Sequence, residues 1–262
     1  MIVKTLKMHC QGNDYIFLDL LEKSYPQTIN WSKIACTLSD RHFGIGGDGL
    51  VLIEKSNLYD AKMRIFNTDG SEAEICGTAL MCITDYLYHL KQVSSFKIEA
   101  MKSLHQSQID LQTKNVTVLF EPIFFERMVS LTIDTYIIEG YLVNVGNLHL
   151  VLFANQILVE YKEIWQKIAT HPDFPHGINI ENVTIINNSE LGIEIWERGS
   201  GFTLSCGSGS VASAYIAHFH RGLANNLQVN VPGGIVFVEV LNSSSCILQG
   251  KVSRVFETKI EI

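Results

Sequence analysis

The sequence predicts an α+β protein built from two similar halves, and three observations carry the prediction. Short strand-like runs alternate with a few helix-like ones along the 262 residues. Residues 63–82, MRIFNTDGSEAEICGTALMC, are echoed 130 residues later by residues 193–212, IEIWERGSGFTLSCGSGSVA, with one residue inserted in the second copy. Each copy runs strand, polar pair, Gly-Ser, then Cys-Gly at the start of a helix-like segment.

The elements follow in order. Apolar runs of strand length cover 2–8, 15–20, 49–54, 62–67, 96–100, 116–120, 141–146, 149–153, 183–187 and 193–198. LQVNV and IVFVEVL flank Pro232-Gly233-Gly234, which reads as a hairpin. Helical patterns cover 31–40, 77–92, 159–170 and 207–222. No low-complexity linker divides the chain, so the repeat is the reason to expect two domains. Equivalent sites, one per half, would then face each other across a cleft.

Composition narrows the function. Apolar residues make up 47% and charged residues 18%, the balance of an ordinary globular protein. A net charge of −7, with no basic run, argues against a nucleic-acid partner. No stretch of 18 apolar residues suits a membrane span and the N-terminal run has no signal-like apolar core, so a cytoplasmic protein is expected. Six cysteines in such a chain read as free thiols rather than a disulfide framework. Cys10, Cys36, Cys82 and Cys246 are expected simply to pack.

Cys76 and Cys206 differ from those four because each opens a helix. A helix start leaves about four backbone N–H groups without partners and carries partial positive charge, so it holds anions. Gly207, Ser208 and Gly209 leave those donors uncovered, and the same field is expected to favour thiolate at Cys206. With Gly77 and Thr78 after Cys76, two thiols and two anion sites would converge on one carboxylate. That suits proton removal from one face of an α-carbon and return on the other. Two close thiols should share one proton, and aimed N–H donors take up carbanion charge without a cofactor. No metal is expected: Cys76 and Cys82, with no close His, make a poor zinc pair.

One pattern misleads. Gly44-Ile45-Gly46-Gly47-Asp48-Gly49 matches G-x-G-x-x-G, but a dinucleotide fingerprint follows a strand and opens a helix, whereas LVLIE follows here. It reads as a turn before a strand.

Lys7-Met8-His9, Gly12-Asn13-Asp14-Tyr15, Asp40 through Gly46, Asp69-Gly70-Ser71-Glu72, Cys76-Gly77, Gly146-Asn147 with His149, Glu197-Arg198-Gly199, Cys206 through Gly209 and Pro232-Gly233-Gly234 together resemble the diaminopimelate epimerase family, over the whole chain. The resemblance implies two similar domains, each a curved, mostly antiparallel sheet around a central helix, with the active site in the cleft between them. It places the boundaries at 1–113 plus 251–262 and at 114–250, the last strand returning to the first domain. It implies Cys76 and Cys206 as catalytic thiols. The reacting carboxylate would sit on the helix starts at Gly77-Thr78 and Gly207-Ser208, with Asn13 near the reacting amine. Asn67, Asn147, Asn179, Glu197 and Arg198 would hold the distal amino-acid head, Arg198 forking a carboxylate and Glu197 taking an ammonium. The substrate would be a small amino acid, and a homodimer is compatible with the family.

The chain departs from the family pattern in one motif. Cys-Gly-Asn-Gly, with Arg before a second Cys, is usual; here Thr78, Ala79 and Met81 replace Asn, Gly and Arg. Leu148 also stands where Pro usually follows Gly-Asn. The first reading is epimerisation of LL-diaminopimelate to the meso form. A racemase of another amino acid, such as histidine, is the alternative, and a non-catalytic binder of the same fold is the third.

Overall fold

The computed structural model describes residues 2–23, 25–26, 28–101, 103–153, 160 and 162–262. The chain forms two compact units: Met1–Val118 with Gln249–Ile262, and Leu119–Leu248.

Unit 1 strings together β1 (Ile2–Cys10), β2 (Asn13–Leu20), β3 (Gly49–Glu54), β4 (Ala61–Asn67), β5 (Glu72–Ala73), β6 (Ser95–Glu99), β7 (Leu104–Ile109) and β8 (Asn115–Phe120). β1–β2, β3–β4, β4–β5 and β6–β7 pair antiparallel, while β2–β3 and β4–β6 pair parallel. Parallel neighbours need a crossover. Helix α1 (Trp31–Ser39) lies in the first crossover and α2 (Gly77–Lys91) in the second.

Unit 2 repeats the series. Its strands are β9 (Phe124–Ile133), β10 (Tyr136–Asn144), β11 (Leu148–Phe153), β12 (Asn179–Asn187), β13 (Glu190–Glu197), β14 (Gly201–Phe202), β15 (Asn226–Val231), β16 (Gly234–Asn242) and β17 (Ser245–Lys251). β10–β11, β12–β13, β13–β14 and β15–β16 are antiparallel, and β11–β12 and β13–β15 parallel. The crossovers carry α3 (Glu163–Ala169) and α4 (Gly207–Arg221). The repeat seen in 63–82 and 193–212 is therefore β4–β5–α2 against β13–β14–α4. The final strand, β18 (Ser253–Glu261), lies antiparallel beside β1, as β9 lies beside β10.

Each unit buries an equivalent core. In unit 1, Ile16, Leu18, Leu50 and Leu52 pack under Trp31 and Ala35 of α1. In unit 2, Leu150, Leu152 and Ile180 pack under Ile164, Trp165 and Ile168 of α3. Each such side chain contributes about 1.5–3 kcal/mol when fully buried. Helix α2 packs on β1, β6 and β7, and α4 on β10 to β13, β15 and β16. Gly207 through Ala217 are all buried, as expected of a helix with no polar face. Left-handed caps, Gln92 at φ 55° and Gly222 at φ 73°, end α2 and α4 where the sequence stops being helical. Among the described residues no helix is long and apolar enough to cross a membrane.

The PGG hairpin forms between β15 and β16, Val231 pairing with Gly234 across Pro232-Gly233. Five strands are additions to the sequence reading: β7, β9 and β17, and the two-residue β5 and β14. The inward residues of β7 include His105 and Ser107, which conceal its alternation. The helix expected over 159–170 is described over Glu163–Ala169; residues 159 and 161 lie outside the described residues.

The Gly44–Gly49 stretch is a turn leading into β3. Arg41 forks onto Asp14 (2.7 and 3.2 Å) and reaches Asp48 (2.9 Å), while the Lys7 ammonium contacts both Asp14 and the Gly46 carbonyl. Burial works against the Asp14 charge, but hydrogen bonds from Arg41 and Lys7 outweigh it and hold the carboxyl below its usual range. A depressed carboxyl adds stability above its unfolded value, about 3.9, that is lost as pH falls through the folded value. Asp14→Asn should therefore lower the urea midpoint at neutral pH, with the gap from wild type closing in acid. A gap that stays constant with pH would contradict this role.

Candidate active site

The two Cys-Gly segments adopt one geometry. Cys76 is the N-cap of α2 at φ −146°, ψ 118°, and its Sγ accepts from the Ala79 N–H at 3.5 Å. Cys206 is the N-cap of α4 at φ −134°, ψ 115°, with Sγ accepting from the Gly209 N–H at 3.4 Å. The fourth N–H of each helix bonds the cap carbonyl, Leu80 to Cys76 O at 3.0 Å and Ser210 to Cys206 O at 2.9 Å. Helix geometry aims the two earlier donors, Gly77 and Thr78 or Gly207 and Ser208, out of the helix end. A sulfur thus sits beside an anion-binding terminus in each unit.

The side chains differ at these termini. Thr78 is buried, and its Oγ1 has no hydrogen-bond partner among the described residues. Ser208 is buried with Oγ 3.5 Å from the Cys206 Sγ. The expectation of thiolate at Cys206 is corrected. Burial pushes this thiol up, and the carboxylates of Glu197 and Glu181 push the same way; hydrogen bonds from Ser208 and the Gly209 N–H do not offset them. The helix terminus is real, but a dry site and two carboxylates outweigh it. The other cysteines are also free: Cys10, Cys82 and Cys246 are buried and Cys36 is exposed.

The remaining residues lie at matching sheet ends. In unit 1, Gln11 (φ 48°) and Gly12 (φ 81°) make the two-residue turn between β1 and β2. That turn delivers Asn13, buried, as the first residue of β2. The pairings Tyr15–Gly49 and Gly49–Asn67 bring the start of β2 and the end of β4 to one end of the sheet. Asn67 donates from Nδ2 to Ser71 Oγ at 3.0 Å in the turn that leads to Cys76.

In unit 2, Gly146 (φ 107°) precedes Asn147 in the equivalent turn. Asn147 Oδ1 meets His149 Nε2 at 3.0 Å. Asn179, at the start of β12, accepts from the Arg198 N–H at 3.0 Å and donates to Leu148 O at 3.1 Å. Its amide oxygen thereby helps fix the backbone at Arg198. The Arg198 guanidinium is exposed and reaches His176 O at 3.5 Å. Glu197 accepts from Thr203 Oγ1 at 2.6 Å.

Two residues escaped the sequence reading. His149 marked the family pattern without a role, and Glu181 was passed over. They form a fully buried pair, His149 Nδ1 to Glu181 Oε1 at 2.8 Å. The signal was Asn179, Glu181 and Asn182 in a strand, residue types that strands disfavour. The strand reading began at 183 and missed them.

The family model of diaminopimelate epimerase matches residues 5–123 and 141–255. Curated diaminopimelate epimerases of Caldanaerobacter subterraneus subsp. tengcongensis and Acetivibrio thermocellus are 35% and 34% identical, each match covering 98% of both chains. That of Methanococcus maripaludis strain C6 is 32% identical over 99% of this chain and 100% of its own. Among solved structures, a probable proline racemase from Agrobacterium radiobacter with bound carbonate has a TM-score of 0.76 at 14% identity, over 99% of this chain and 93% of its own. A PhzF-family phenazine biosynthesis protein of Bacillus anthracis has 0.75 at 14%, over 100% of both. At such identity these two share the fold. With relatives above 30% identity along nearly the whole length and a family match through both units, the chain belongs to the diaminopimelate epimerase family of isomerases.

Proposed function

We propose that the chain epimerises LL-2,6-diaminopimelate to the meso form by two-thiol acid–base transfer, with Cys76 and Cys206 as the pair. The observation that carries this reading is the duplicated N-cap: two cysteines in one conformation, each sulfur held by the third N–H of its helix. Inversion at an α-carbon needs a base on one face and an acid on the other. One thiolate takes the α-proton and the other thiol returns one from the opposite side. The carbanion charge flows onto the α-carboxylate, where N–H groups of Gly77 and Thr78 and of Gly207 and Ser208 receive it. The thiols and backbone donors supply the whole of this chemistry, without metal or prosthetic group.

Asn13 would orient the reacting amine. Asn67, Asn147, Asn179, Arg198 and Glu197 would hold the distal centre. Domains 1–113 plus 251–262 and 114–250 each supply one thiol. The product belongs to lysine and peptidoglycan-precursor biosynthesis, in the cytoplasm.

The test is proton NMR of LL-diaminopimelate with the reduced protein in D2O. The expected result is loss of the α-proton signal together with appearance of the meso isomer. The buried Thr78 hydroxyl, where relatives of the family usually carry Asn, favours one second reading, a racemase of another amino acid such as histidine. Exchange with such an amino acid and none with diaminopimelate would establish that reading instead. Binding of diaminopimelate with no exchange at all would mark a non-catalytic binder.

A further inference from the structure

Glu181 is a buried carboxylate that the proposed mechanism does not use. It is fully buried on β12, whose parallel pairing with β11 sets Val151 opposite Glu181 and places His149 two residues along the same face. The His149 imidazole holds Oε1. Oε2 is buried and has no hydrogen-bond partner among the described residues. The carboxylate presses against the first turn of α4: a Cβ on Gly209 would run into Oε1, with Cδ at 2.9 Å and Cγ at 3.1 Å. Gly209 is the residue whose N–H holds the Cys206 sulfur. Two acids therefore compete for one positive helix end, and Glu181 is embedded in it.

We infer that Glu181, held by His149, is a positioning residue that keeps the proton of the thiol pair on Cys206 in the free enzyme. This rests on the two-thiol reading. A carboxylate packed beneath the turn discourages negative charge on the sulfur, so Cys206 waits as the acid. Glu197 acts in the same direction from β13, but in the proposed complex it meets the substrate ammonium and its effect is neutralised. Glu181 faces no substrate group, and its effect persists through turnover. The titratable groups that bear on Cys206 within unit 2 are thus Glu197 of β13, Glu181 of β12 and, behind it, His149 of β11. Tyr215 and His220 belong to later turns of α4, and Cys246, which bears on Tyr215, lies on β17.

The experiment titrates Cys206 in the substrate-free protein by the ultraviolet absorbance of its thiolate, using Cys206→Ala protein as the blank. Glu181→Gln keeps shape and the bond to His149 but removes charge. It should move the midpoint down by roughly one pH unit. His149→Gln leaves the carboxylate less compensated and should move the midpoint up. A merely structural disturbance would move both variants the same way, and that result, or an unmoved midpoint in Glu181→Gln, overturns the inference. If Glu181→Gln does not fold, the His149→Gln shift decides alone: upward supports the inference, unchanged or downward overturns it. Failure of the two-thiol reading shows separately, as absence of α-proton exchange in the unmodified protein.

Discussion

Cys76→Ala and Cys206→Ala are each expected to lower epimerisation by roughly 10³-fold or more, the scale of a positioned acid or base. The loss should fall on kcat, with substrate affinity largely kept, because in the proposed mechanism each sulfur acts on a proton while the helix-end donors and Arg198 do the binding. In the proposed mechanism the two thiols work as one unit, so the double variant should be scarcely worse than either single one. Serine at either position keeps a hydroxyl near the α-carbon but gives a far poorer base, and should restore little. Direct measurement of LL-to-meso conversion in all five variants checks this. A double alanine variant that turns over like wild type would remove the cysteines from the mechanism.

Gly209→Ala should be strongly destabilising, against the usual rule. Alanine in a helix interior is ordinarily favoured over glycine by about 1 kcal/mol. Here the new Cβ would strike Glu181 Oε1, with Cδ 2.9 Å away. The carboxylate cannot retreat cheaply, because it is fully buried and bonded to His149. Overpacking costs about 1–3 kcal/mol, and displacing a buried carboxylate from its partner adds about 3–5 kcal/mol where the pair is broken. A net loss of roughly 2 kcal/mol or more is expected, read as a lowered urea midpoint. Gly209 also holds the Cys206 sulfur, so turnover should fall with stability. Truncating Glu181 to alanine in the same chain should recover part of the loss from Gly209→Ala. Additive effects of the two changes, or an ordinary stabilisation by Gly209→Ala, would show that the carboxylate does not press on the turn.

The duplicated architecture was legible because the repeat carries unusual residues at fixed places: Gly-Ser, then Cys-Gly opening a helix of small side chains. A helix cap depends on local sequence, so Cys76 and Cys206 could be placed before any fold was known. β7 and β12 were harder for the same physical reason. Their inward residues include His105, Ser107, Asn179 and Glu181, the last three bonded to partners remote in sequence, and an apolar pattern cannot show them. The thiolate expectation at Cys206 erred in the same way. The helix end is local, but Glu181 and Glu197 arrive from β12 and β13, and burial is a property of the folded whole. A second repeat also went unnoticed: Gly12-Asn13 and Gly146-Asn147, two left-handed glycines that each deliver an asparagine to an equivalent strand.

The pairing of β18 with β1 bears on how the protein is made. Ile2 lies opposite Glu261, so one edge of the first unit is closed by residues that leave the ribosome more than 240 positions later. Unit 2 is continuous in sequence and can complete its sheet while the tail is still being translated. Until the tail arrives, β1 presents an open strand edge, the kind of surface that pairs with foreign strands. The first half of this chain to be synthesised is thus the last to be finished, and it passes its time in the translation queue as a sheet with one side missing.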